Sequence, residues 1–67
     1  MTQQEFDEIV WEIIPQQLFH VSRTDIDSKT GAHLDEIILL DIIYRHPELL
    51  SFKSLSWFAE TFIGSEN

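Results

Sequence analysis

A chain of 67 residues without cysteine is one small domain, 1–67, with no disulfide frame and no thiolate metal site. Twelve Asp and Glu against four Lys and Arg leave a net charge of −8, spread over about 4,400 Å² by size scaling, a field that repels nucleic acid and anionic lipid and draws basic partners. Its 43% hydrophobic and 12% aromatic content excludes a disordered acidic tail.

The first predicted element begins at Thr2, which with Glu5 three residues later forms a capping-box pattern. Phe6, Ile9, Val10, Ile13 and Ile14 follow at i, i+3, i+4, i+7 and i+8, one apolar helix face. Glu5, Glu8 and Glu12 gather on the other side, and Trp11 lies off the apolar stripe. Pro15 is expected to end or kink this helix, because the residue before a proline is pushed out of the α region. Residues 16–31 then read as a long connection that Leu18, Phe19 and Val21 pin to the core. Its Ser, Thr, Asp and Gly residues are turn and cap formers, with a short helical turn inside Ser22–Asp27 capped by Ser22.

A second long helix is expected from about Ala32 to Arg45, capped by Thr30 or a neighbour. Leu34, Ile37, Ile38, Leu39, Leu40, Ile42, Ile43 and Tyr44 leave it almost no polar face, so it should be central and surrounded. A strand over Ile37–Tyr44 is the alternative its β-branched residues admit; length and the flanking acidic residues favour helix. Pro47 closes it, with Arg45 and His46 at its negative end. The last block starts near Ser51 or Ser54 and places Leu55, Phe58, Ala59, Phe62 and Ile63 at helical spacing before Gly64, a natural C′ residue. The expected class is all-α: a small three- or four-helix bundle, the fourth helix being a short turn at Pro47–Leu50 or Ser22–Asp27.

Asp41 stands in the middle of the most apolar helix, where an unpaired buried carboxylate is costly. Arg45 lies four residues on, in position for an ion pair at a helix edge or for a role in partner binding. Trp11 and Trp57 both lie off their apolar stripes, as interface tryptophans do, although either could simply widen a thin core. Asp25, Asp27 and Glu36 echo a calcium loop, but Lys29 and Thr30 occupy the places that need an oxygen ligand and a glycine, so a capped turn explains them. His33 and Glu36 supply at most two ligands on one helical face. No phosphate loop and no nucleophile elbow is present, so neither a cofactor nor enzyme activity is expected.

Val21-Ser-Arg-Thr-Asp25-Ile26-Asp27, Gly31-Ala32-His33-Leu34-Asp35-Glu36 and Ser54-Leu55-Ser56-Trp57-Phe58-Ala59 resemble successive stretches of the acyl carrier proteins. That resemblance implies a four-helix fold, with His33 standing where the family carries the serine for its phosphopantetheine arm, so the carrier chemistry would be lost and an acidic recognition surface kept. Thr2-Gln-Gln-Glu5-Phe6 and His46-Pro47 are similar to the first helix start and the His-Pro of the colicin-type immunity proteins, acidic four-helix inhibitors of basic nucleases. The paired tyrosines of that family have no match, Leu49-Leu50-Ser51-Phe52 standing in their place.

These readings converge on an acidic helical binding module, an inhibitor or an immunity- or antitoxin-like partner of a basic protein surface, acting through Glu5, Glu8, Trp11, Glu12, Asp41, Arg45 and Trp57. The alternatives are a carrier-like protein without its prosthetic group and a nucleic-acid mimic. A homodimer through Trp11 or Trp57 is a further expectation, since so apolar a second helix is hard to wrap. Direct nucleic-acid binding and membrane insertion are not expected: Asp41 and Arg45 interrupt the longest apolar run, well short of the ~20 residues a span requires. Met1-Thr2-Gln3-Gln4-Glu5 lacks the basic region of a signal peptide, so the expected location is cytoplasmic.

Overall fold

A computed structural model describes residues 1–22 and 24–64. The elements are α1 (Gln3–Glu8), a π-helical segment (Ile9–Ile13), α2 (Ile14–Phe19), α3 (Leu34–Arg45), a 3₁₀ turn (Pro47–Ser51) and α4 (Leu55–Phe62). The class is all-α, as expected.

The capping box at the start is complete. Thr2 Oγ1 accepts the Glu5 N–H at 3.1 Å and Glu5 Oε1 accepts the Thr2 N–H at 2.8 Å. Pro15, expected to end or kink the helix, does not end it. α1, the π segment and α2 run on as one rod, and Ile14 keeps α dihedrals (−61°, −49°) in front of the proline. The π segment offers the reason. Ile14 donates to the Ile9 carbonyl five residues back, a widened ladder that sets Pro15 in the first turn of α2, where no amide hydrogen is needed. The connection is therefore shorter than expected, because residues 16–19 are helical. Leu18 packs against the core, but Phe19 is 81% exposed and pins nothing. Widening the helix also breaks the apolar stripe: Phe6, Ile9, Val10 and Ile14 are buried while Ile13 is turned outward.

The connection holds itself by short-range hydrogen bonds. The Asp25 carboxylate accepts the Ser22 N–H at 2.9 Å, and the Asp25 N–H donates to the Ser22 carbonyl at 3.0 Å. Asp27 Oδ2 accepts both the N–H and the hydroxyl of Thr30, at 3.0 and 2.9 Å. Gly31, at φ 76°, turns the chain back so that Ile26 pairs with His33 in an isolated antiparallel bridge. Thr30 is thereby used inside the loop. The N-cap of α3 is His33, without a side-chain capping bond, rather than Thr30.

α3 is a helix, not a strand, but it is not surrounded. Asp35, Leu39, Ile42 and Ile43 are buried, whereas Ile37, Leu40 and Tyr44 are exposed. Pro47 stops it, and the 3₁₀ turn that follows is the expected short fourth helix, burying Leu49 completely. α4 is capped by Ser54, whose Oγ accepts the Trp57 N–H at 3.2 Å, and Gly64, with φ 85°, follows its C-cap Ile63. Phe58 and Ile63 turn inward; Leu55 and Ala59, expected on the same apolar face, are exposed beside Leu39 and Leu40 of α3.

One core results, drawn from the first rod (Phe6, Ile9, Val10, Ile14), α3 (Leu39, Ile42, Ile43), Leu49, and the last block (Phe58, Ile63). Two helices and a rod cannot cover all sides of it. The accessible surface is 4,819 Å², about a tenth above the scaling value. The radius of gyration is 12.1 Å, against about 10.9 Å for a compact domain of this length. Among the described residues no helix is long and apolar enough to cross a membrane.

Candidate partner-binding surface

The first rod carries its carboxylates outward. Glu5, Glu8 and Glu12 are all exposed, as is Asp7. Glu5 is the least free of them. The backbone N–H and then the hydroxyl of Thr2 hold its carboxyl below the usual glutamate range, and the amino terminus acts in the same direction. Its charge serves the helix start first and the surface second.

Trp11 is the aromatic member of this surface, with 57% of its area in solvent. It shares an open recess with Gln3, Gln4, Asp7, Glu8 and Glu12. Beneath it lies a cluster the aromatic residues build between the first rod and the last block. Trp57 meets Trp11 edge-to-face at 6.3 Å and 86°, and meets Phe58 at 5.0 Å and 89°. Phe62 lies 6.3 Å from both indoles. Phe6 stacks on Phe52 at 4.7 Å and touches the edge of Phe58. Lys53 Nζ sits 5.5 Å above the Trp57 ring. Edge-to-face contacts of this kind add to burial and fix ring orientation, so Trp11 is exposed yet held.

The structure thus brings Trp11 and Trp57 together with Glu8 and Glu12. Trp57 itself is half-buried, and its larger part is core support for Trp11. Asp41 and Arg45 lie elsewhere, on α3. Arg45 Nε is 3.2 Å from Asp41 Oδ2 in a side-chain pair that is 73% and 52% exposed, so the carboxylate is hydrated and paired. The pair edges a groove of about 310 Å³ between α3 and the first rod, where Ile13, Ile37 and Ile38 form the apolar wall.

The sequence marks α3 as hard to wrap but does not say which of its residues stay outside; the structure leaves Ile37, Leu40 and Tyr44 exposed, with Leu55 of α4. The signal for the aromatic cluster was present: Phe52, Trp57, Phe58 and Phe62 fall close together at the end of the chain. Among the described residues no group of three or more His, Cys, Asp or Glu is placed to hold a metal ion. Asp25 and Asp27 instead accept hydrogen bonds inside their own loop. Comparison of the chain with protein-family models, with curated proteins and with solved structures finds no match.

Proposed function

We propose that this chain is an acidic helical binding module whose partner presents a basic protein surface, in the manner of an inhibitor, immunity protein or antitoxin. The observation that carries the reading is Trp11: a large ring, mostly in solvent, fixed from behind by Trp57 and Phe62 and flanked by the carboxylates of Glu8 and Glu12. A rigid aromatic loses little entropy on docking and suits an interface centre, while the surrounding carboxylates steer encounter. A cytoplasmic setting belongs to the same reading, since a chain without cysteine suits a reducing compartment.

The test uses a partner recovered with the wild-type chain and then purified. Glu8→Lys with Glu12→Lys is expected to slow association about tenfold at low salt and to flatten its salt dependence. Trp11→Ala is expected to speed dissociation by about thirtyfold, the loss of roughly 2 kcal/mol typical of a buried aromatic anchor. A recovered partner without a basic surface, or rates unmoved by both variants, overturns the reading.

The carrier-like alternative rests on one placement: His33 caps α3, at the position the resemblance gives to the arm-bearing serine. A promiscuous phosphopantetheinyl transferase is accordingly expected to leave the mass unchanged. An adduct on Ser28 or another serine would promote that alternative.

A further inference from the structure

The outer ridge of α3 is an apolar feature that the binding surface does not use. Leu40 is 52% and Tyr44 86% exposed, Ile37 lies beside them, and all three fall on one side of the helix. α4 extends the strip with the exposed Leu55 and Ala59, which share a depression with Leu40. An exposed apolar surface of this kind on a small domain marks a contact.

We infer that this ridge is an interface between two copies of the chain, packed antiparallel about a two-fold axis near Leu40. Three features select a second copy. Asp41 on the ridge is already paired with Arg45 at 3.2 Å, so a basic partner gains little from it, whereas two chains of net charge −8 can approach along a strip that is mostly apolar. The ends of α3 are opposite in sign at the surface, with the exposed Glu36 in the first turn and Arg45 in the last. Antiparallel pairing sets the acidic end of one helix at the level of the Arg45 end of the other and opposes their dipoles; parallel pairing sets like against like. Finally, the strip matches itself under the two-fold operation: with Leu40 near the axis, Ile37 of one copy lies at the level of Tyr44 of the other. A standard interface takes about 800 Å² from each partner, more than one helix ridge supplies, so Leu55 and Ala59 take part in it.

This inference does not depend on the proposed function, and its test can fail separately. Sedimentation at about 100 µM, above the micromolar dissociation constants that standard-size interfaces reach, is expected to give a dimer. Leu40→Glu and Tyr44→Glu, both at exposed positions, are expected to give folded monomers with the helical circular dichroism of the wild type, and Trp11→Ala to remain dimeric. Because the chain has no cysteine, a single introduced one reports contact directly. Leu40→Cys is expected to form a disulfide-linked dimer on mild oxidation, and Trp11→Cys is not. A wild-type monomer at that concentration overturns the inference. So does a dimer that survives both glutamate substitutions, or one that cross-links through position 11 instead of 40.

Discussion

The first rod and α3 answer opposite questions about hydrophobic content. The rod has a modest apolar stripe and buries most of it, because α3 and the aromatic residues of the last block lie against it. α3 is the more apolar of the two and leaves Ile37, Leu40 and Tyr44 outside. Burial is therefore set by how many neighbours reach a face, not by how much the face would gain from them. Counting apolar residues along α3 predicts its depth wrongly for that reason.

The sharpest way to test this contrast is to truncate one large side chain on each side of it. Phe58 is fully buried among Phe6, Trp57 and Phe62. Phe58→Ala is expected to cost about 3–5 kcal/mol, enough to unfold a domain this small in a thermal melt. Leu40→Ala, on the outer ridge, is expected to stay within about 0.5 kcal/mol for the monomer, as surface substitutions do. Comparable losses at both positions would mean that α3 is covered after all.

Pro15 probes the rod itself. Pro15→Ala restores an amide donor and a good helix former, so a gain of about 1 kcal/mol is expected, with Ile13 and Trp11 shifting as the widened turn relaxes. Trp11 fluorescence would report the shift; an unchanged spectrum and a lower melting temperature would mean that the π segment has a cause other than the proline. Ser54→Ala removes the hydroxyl that accepts the Trp57 N–H. It should cost about 1 kcal/mol, a melting-point drop of about 4–8 °C at this chain length.

The smallest effect concerns acid. The carboxyl of Glu5 is held low in the folded chain, first by the Thr2 backbone and then by its hydroxyl. A lowered folded value means that its contribution is complete above the ordinary glutamate pKa and is lost as pH falls through the lowered one. Glu5→Gln should therefore lower stability slightly at neutral pH and flatten the acid side of the stability–pH curve, the variant and the wild type converging below the lowered glutamate value. A steeper acid limb in the variant would contradict the sign.

Most of the element ends were legible because they are local chemistry. The Thr2–Glu5 box, the Pro47 stop, the Ser54 cap and the Gly64 exit each need only a few residues to specify them. The passage of the rod through Pro15 was not legible, since it depends on a shifted hydrogen-bond ladder that leaves no periodic mark. Thr30 was misassigned as a cap because Asp27 competes for the same hydroxyl and amide. In the candidate site, the exposure of Trp11 followed from its place off the stripe. Its contact with Trp57 joins distant parts of the chain and depends on how α4 docks, which single-helix patterns do not encode.

The chain has two tryptophans and one tyrosine, and the fold sorts them. Both indoles belong to the aromatic cluster, in contact with each other at near right angles, while Tyr44 stands alone on the α3 ridge. Light absorbed or emitted by the protein is thus already divided by location. Docking on the acidic face should perturb indole fluorescence and the near-ultraviolet dichroism of the coupled ring pair. Pairing through α3 should alter the tyrosine signal and leave the indoles quiet. Two separate binding events could be followed in one cuvette, without a label.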